Sequence, residues 1–390
     1  MLIFIKNIEV YSPEYKGKKN ILILDDKIAY IGDDDIDLKL PFPVKVIDGS
    51  KYYAFPGFID GHVHITGGGG EGGFATRTPE IVLSDIIKGG ITTIVGCLGT
   101  DGVTRSMENL YAKAKALEEE GVSTYIYTGS YRVPTTTLTG SVMKDIMMID
   151  KVIGVGEVAL SDHRSSQPSI DEIKRLTADA RVGGILSKKA GVVNIHLGDG
   201  DRMLGYLKEI VDTTEIPITQ FWPTHINRNP SLFKEGIEYA KKGGFIDFTT
   251  SSDPVFWEEG EVKASRAIRI CLEEGVGEEN ITLTSDGQGS LPQFNEKGEF
   301  VKLGIGRVTS LYKEVRDAVL EDKVPIDKAL KCITKNPARI LKLNNKGRVD
   351  VNMDADLVLV DKDSLEIETV IAMGKILMED KNILFRGTFE

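Results

Sequence analysis

Apolar and polar positions along the chain change rhythm twice. Up to about residue 54, apolar residues alternate with polar ones in the runs LIFIKNIEVY, NILILDDKIAYIGD and VKVIDGSKYYA, broken by polar turns such as Asp25-Asp26. Alternation with a period of two places successive side chains on opposite faces of a strand, so these runs predict β-strands. From about residue 347 the same rhythm returns in DADLVLVD, IETVIAMGKILMED and NILFRGTFE. The two β-rich ends predict one small β-sandwich assembled from residues 1–54 and 347–390, with two separate β appendages as the alternative.

Between them, over residues 55–346, short apolar runs alternate with amphipathic stretches, the signature of parallel βα units. The candidate strands are FPGFIDGHVHI, ITTIVG, VSTYIYTGS, KVIGVGEVALS, VVNIHLG, IPITQFWPTH, GFIDFTT and NITLTSDG. In SMENLYAKAKALEEEG, residues Met107, Leu110, Tyr111, Ala114 and Leu117 form one helical stripe, and Gly121 supplies a stop. PSLFKEGIEYAKKGG opens on proline and closes on two glycines, as a helix does. Eight such units predict a TIM-type (β/α)8 barrel. A doubly wound open sheet is the alternative.

Composition narrows the function. A net charge of -11 over 390 residues argues against nucleic acid or an anionic membrane surface as partner. Cys97, Cys271 and Cys332 are scattered, odd in number and without CxxC spacing, so they predict buried free thiols rather than disulfides or a zinc ribbon. The start, MLIFIKNIEV, lacks a cationic lead-in and a cleavage site, and no run reaches the length of a membrane span. A cytoplasmic protein is the expectation.

The chain has five histidines, and four stand near predicted strand ends. His62 and His64, two apart, aim both imidazoles at one ion if they lie on a strand. His196 closes the fifth run, His225 the sixth and Asp286 the eighth, while Glu157 is an acid inside the apolar fourth. In a barrel these ends share one rim, where the βα loops open. The set can hold two ions: the HxH pair and Asp286 on one, His196 and His225 on the other, with Glu157 bridging. Imidazole and carboxylate donors suit zinc or a similar ion. Water between two divalent cations loses its proton near neutral pH while one ion polarises the carbonyl under attack. Asp286 could accept that proton and pass it to a leaving nitrogen, although in SDGQGS it also reads as a turn former.

The motif PGFIDGHVH is the general signal of the amidohydrolase superfamily. The narrower series HVHITGGGGEGG, TRTPE, CLGTD, TGSVMKD, SDHRSSQP, RVGGIL, PTHINRN, TSSDP, TSDGQGS and RGTFE runs in order to the last residue. It resembles the bacterial isoaspartyl (beta-aspartyl) dipeptidases. The resemblance implies metal-dependent hydrolysis of dipeptides in which L-aspartate is joined through its side-chain carboxyl, by a metal-activated hydroxide. It implies that Glu71 holds the α-ammonium, that Arg164 and Arg228 bind carboxylates, and that Thr100 and Ser290 add hydrogen bonds. Tyr131 would stand near the scissile carbonyl and stabilise charge on its oxygen. Two Zn2+ per subunit, a homo-oligomer with an octamer as the candidate assembly, and a small-molecule dipeptide as partner follow in the same way. Apart from the resemblance, Gly67 to Gly70 read as a flexible loop, Glu71 as a solvated acid beside it, and His163 as a supporting residue.

One position departs from the family pattern, in which a carboxylated lysine bridges the ions. Counting back from SDHR puts Glu157 in that slot; counting forward from VIGV puts Gly156 there, so the chain has one additional residue between the anchors. A glutamate carboxyl is three bonds closer to its backbone, roughly 4 Å of lost reach. A bulge in the fourth strand would advance Glu157 and compensate. Lys151, Lys188 and Lys189 are badly placed to replace it, so no lysine carbamate is expected. Other amidohydrolase activities, of the acylamino-acid deacylase, hydantoinase or dihydroorotase type, and a non-catalytic scaffold are the rival readings.

Overall fold

The computed structural model describes residues 2–34, 43–294 and 300–390. Five strands come first: β1 (Leu2–Tyr11), β2 (Tyr15–Leu24), β3 (Lys27–Gly32), β4 (Lys45–Asp48) and β5 (Tyr52–Pro56). Eight follow between helices: β6 (Phe58–Val63), β7 (Ile91–Gly96), β8 (Ser123–Thr128), β9 (Val152–Leu160), β10 (Val192–Leu197), β11 (Phe221–Thr224), β12 (Ile246–Thr249) and β13 (Ile281–Thr284). A hairpin, β14 (Ser290–Phe294) and β15 (Phe300–Ile305), leads to further helices. The chain then ends with β16 (Leu357–Asp361), β17 (Ile367–Ala372), β18 (Lys375–Glu379) and β19 (Asn382–Ile383).

Each of the eight predicted apolar runs contains one of the strands β6 to β13. Strands β6 to β11 pair parallel in sequence order, and β12 pairs parallel with β13. Backbone bonds close the ring: His64 N–H donates to the Gly287 carbonyl at 2.9 Å just past β13, and Ile226 N–H, past β11, donates to Asp247 in β12 at 3.2 Å. This is the predicted (β/α)8 barrel.

Local chemistry explains the helices between the strands. Helix Met107–Glu120 buries Met107, Leu110, Ala114 and Leu117 from the predicted stripe, while Tyr111 is half-buried. Ser106 caps its start by accepting from Asn109 N–H, and Gly121 follows its end with φ 127°. Such a cap contributes about 1 kcal/mol. Helix Pro230–Lys241 begins with the expected proline behind the Asn229 cap.

The two ends of the chain form one sheet ordered β19-β18-β17-β16-β5-β1-β2-β3, with β4 beside β1. Strand β5 splices them, parallel to β1 and antiparallel to β16. Ile3, Ile5 and Ile21 from one wing share a buried cluster with Leu357, Leu359 and Ile371 from the other. The two ends thus build one β domain together, as expected, and its strands belong to a single hydrogen-bonded sheet. Val358, Val360 and Val370, on the second wing's opposite face, belong to the barrel's core.

The last predicted strand, NILFRGTFE, is corrected: only Asn382–Ile383 pair in the sheet. The tail instead reaches the barrel, where the Glu390 carboxylate accepts from Ser84 N–H at 3.0 Å and from the Ser84 hydroxyl. Helix Leu83–Lys88 has no side-chain cap at its start, and a carboxylate satisfies the free N–H groups there. Among the described residues no helix is long and apolar enough to cross a membrane.

Candidate metal centre and active site

The six proposed metal ligands come from five separate barrel strands and meet at one rim. His62 lies in β6 and His64 one residue beyond it; Glu157 lies in β9 and His196 in β10; His225 and Asp286 follow β11 and β13. Five of the six are buried, and Asp286 is half-buried, its side chain 15% exposed toward the cavity. His225 and Asp286 have left-handed backbones, φ 64° and 52°, as each strand turns into its loop.

The distances between their free atoms describe the space an ion needs. His62 Nε2 lies 3.3 Å from Glu157 Oε2 and 3.6 Å from Asp286 Oδ1. His64 Nε2 lies 3.3 Å from Glu157 Oε1 and 3.1 Å from Asp286 Oδ1. Bonds of about 2.0–2.2 Å arranged tetrahedrally set donors about 3.3–3.6 Å apart. His62 Nε2, Glu157 Oε1 and Asp286 Oδ1 are buried without a hydrogen-bond partner, an arrangement that is costly without an ion. The residues present therefore fit a metal. On the other side of Glu157, His196 Nδ1 is 3.2 Å and His225 Nε2 3.9 Å from Oε2, and these three can hold an ion of their own.

Neighbours fix which nitrogen of each ring is free. His62 Nδ1 faces Asn194 Oδ1 at 3.0 Å, so it is the protonated one and Nε2 points into the centre. His225 Nδ1 is 2.5 Å from the Thr249 hydroxyl. His196 Nε2 is 2.9 Å from Asp162 Oδ2, leaving Nδ1 toward Glu157. Burial first, then the neighbouring His196, push the His225 imidazolium down to about 3, which keeps the ring neutral. Burial raises Asp286, but the bond to His64 and the charges of the surrounding histidines outweigh it and hold the carboxyl at about 2. Glu157 is likewise kept ionised, since His62 and the other histidines overcome its burial.

The additional residue in the fourth strand does form a bulge. Val155 pairs with Val193 and Val158 with Ile195, so Gly156 and Glu157 together face the single residue Asn194. Nearby, a Cβ on Gly99 would stand 2.8 Å from His64 Cε1 and 3.1 Å from Glu157 Oε1. Only hydrogen leaves the centre its space.

A cavity of about 480 Å3 opens above the metal ligands, lined by Glu71, Thr100, Tyr131, Arg164, Arg228 and Ser290 among others. Glu71 accepts from the Thr100 hydroxyl at 2.9 Å, from Arg164 Nη1 at 3.2 Å and from the Ser290 hydroxyl at 3.2 Å. Arg228 stands apart from that group, with Asp199 3.9 Å away. The Tyr131 hydroxyl lies 2.9 Å from His196 Nδ1, and burial raises its pKa well above the ordinary tyrosine value, so it remains a donor. The glycine run is a held loop rather than a flexible one. Arg105 is buried and donates to the carbonyls of Thr66, Gly68 and Thr78, and a Cβ on Gly67, at φ 82°, would stand 2.3 Å from the Thr78 carbonyl.

Sequence reasoning missed Cys97, Asp162 and Arg105. Cys97 is a buried free thiol as expected, but it joins His62, His64 and Glu157 in a group able to hold an ion, with Sγ 3.8 Å from His64 Nδ1. Its position just past the second predicted strand, on the same rim as the histidines, was the available signal. Asp162 stands in the SDHR motif and locks both His196 and Arg164, the latter at 2.7 Å.

Known proteins share this fold. The amidohydrolase family profile matches residues 221–377. A curated 5-methylthioadenosine/S-adenosylhomocysteine deaminase of Thermoanaerobacter pseudethanolicus is 23% identical over 98% of this chain and 95% of its own length. A D-hydantoinase from Thermus sp., 17% identical with a TM-score of 0.68, covers 99% of this chain and 97% of its own, and shows the shared fold. The crystal structure of beta-aspartyl dipeptidase from Fervidobacterium islandicum AW-1 in complex with beta-Asp-Leu dipeptide is 51% identical, covers 98% of both chains and has a TM-score of 0.90. The chain belongs to the amidohydrolase family and is similar over nearly its whole length to this beta-aspartyl dipeptidase.

Proposed function

We propose that the protein hydrolyses the isopeptide bond of beta-aspartyl dipeptides, with divalent metal held by His62, His64, Glu157, His196, His225 and Asp286. The observation that carries this reading is the convergence of three partnerless buried atoms, His62 Nε2, Glu157 Oε1 and Asp286 Oδ1, beneath the Glu71–Arg164 pair. We take the ions to be two Zn2+ bridged by Glu157, with Cys97 as a further donor on the His62–His64 side. Bound there, such ions acidify a water and polarise the scissile carbonyl.

The chain's own groups do the rest. Glu71 accepts hydrogen bonds from the α-ammonium of the aspartyl residue, and Arg164 beside it takes the α-carboxylate on the same carbon. Thr100 and Ser290 fix the Glu71 carboxylate between them. Arg228, across the cavity, takes the carboxylate of the residue that leaves. Asp286, ionised and aimed at the centre, receives the proton of the attacking water and returns it to the departing amine. The Tyr131 hydroxyl donates to the carbonyl oxygen as charge develops on it. Residues 55–346 form the catalytic barrel in this reading, and residues 1–54 with 347–390 its β scaffold. A homo-oligomer, with the octamer as candidate, and a cytoplasmic setting complete it.

The test is hydrolysis of beta-Asp-Leu by purified protein supplied with zinc, with α-Asp-Leu and hydantoin as controls. Cleavage of the β isomer alone, abolished by a chelator and restored by metal, is expected. Turnover of hydantoin with inert beta-Asp-Leu would replace this reading with a cyclic-amide hydrolase.

A further inference from the structure

A second cavity of about 560 Å3 adjoins the first, sharing Asp199, Arg228, Asp286 and Ser290 with it. Its far side is formed by Phe256, Leu291, Glu259 and Glu261. The segment carrying Glu261 is anchored beside Arg228: Val262 N–H donates to the Asn227 carbonyl at 2.9 Å, and Asn227 Nδ2 donates back to the Val262 carbonyl at 3.0 Å. Glu261 N–H is held by the Phe256 carbonyl at 2.9 Å.

Among the described residues no Lys, Arg or His lies within ion-pair distance of Glu261, and burial lifts its carboxyl to about 7. The nearby Lys263 is committed to Asp317 and Glu321, at 2.7 and 2.9 Å. Arg228 is the basic neighbour that steadies Glu261, and the proposed mechanism turns Arg228 toward the carboxylate of the leaving residue. With Arg228 so engaged, the second cavity keeps Glu261 and Glu259 at one end and the apolar walls of Phe256 and Leu291 along its side. That combination matches a side chain with an apolar stem and a cationic head.

We propose that this second cavity receives the side chain of the residue following beta-aspartate, and that Glu261 makes the enzyme favour a basic residue there. The inference rests on the activity proposed above. Its test compares kcat/KM for beta-Asp-Lys, beta-Asp-Leu and beta-Asp-Glu at pH 8, where Glu261 is ionised, in the wild type, Glu261→Gln and Glu261→Lys. The wild type is expected to prefer beta-Asp-Lys over beta-Asp-Glu by about tenfold or more. Glu261→Gln should shrink the Lys-to-Leu ratio through a higher KM for beta-Asp-Lys, and Glu261→Lys should reverse the order of the two charged substrates. An unchanged ratio in Glu261→Gln, or equal losses on all three dipeptides, would overturn the proposal and leave Glu261 as a support for Arg228. If the wild type cleaves none of the three, it is the proposed activity that fails, and the subsite with it.

Discussion

Residue by residue, the histidines were legible because metal chemistry restricts the side chains that can serve it, and their spacing on strands restricts the direction they face. Cys97, Asp162 and Arg105 were not, because each acquires its role from partners distant in sequence. Asp286→Asn keeps the shape of the site but removes the proton acceptor, so kcat is expected to fall by about 10^2–10^4, with bound metal counted alongside to separate chemistry from affinity. Cys97 allows a spectroscopic test. With cobalt in place of zinc, a thiolate donor adds a near-ultraviolet charge-transfer band, expected in the wild type and absent in Cys97→Ser. Identical spectra from the two proteins would reduce Cys97 to a neighbour of His64 Nδ1, 3.8 Å away.

Among the elements, short apolar runs between amphipathic stretches located the barrel strands, because each strand is buried on both faces. The final run misled because its fate is set by the helix start that Glu390 caps, a long-range contact that alternation does not encode. The bulge in β9 is the element on which the metal centre turns. With two residues opposite Asn194, the bulge sets Glu157 beyond the position that a single residue at that rung would take. Deleting Gly156 restores an even register and moves Glu157 into the preceding position. The deleted protein is expected to bind markedly less metal by elemental analysis while retaining a cooperative thermal transition. Full metal content in it would mean that the bulge does not set the reach of Glu157.

At the scale of the whole molecule, both chain ends must hold the barrel, and one buried ionic group sits at that junction. Lys346 Nζ lies 3.0 Å from Asp354 and 2.6 Å from Asp356, and Asp354 also meets Lys27 of β3. Asp356 further accepts from Met373 N–H at 2.8 Å, so the lysine ties the helical end of the barrel to three parts of the terminal sheet. Sequence alone gave both ends as strands but not this tie, since charged residues near turns read as solvated. Lys346→Met leaves the Asp356 carboxylate buried without its cation and is expected to cost about 3 kcal/mol in denaturant unfolding. The pH dependence has two edges. Burial lowers Lys346, but Asp356 and Asp354 outweigh it and raise its value; that contribution is complete below the ordinary lysine value of about 10.4 and fades as pH climbs toward the higher folded one. Asp354 is raised by burial but lowered further by Lys346 and Lys27; its contribution is complete above the ordinary aspartate value of about 3.9 and fades as pH falls through the lower folded one. The stability gap between wild type and Lys346→Met should therefore be flat through neutral pH and narrow toward both extremes. A gap that ignores pH would assign the loss to packing of the lysine stem instead of its charge.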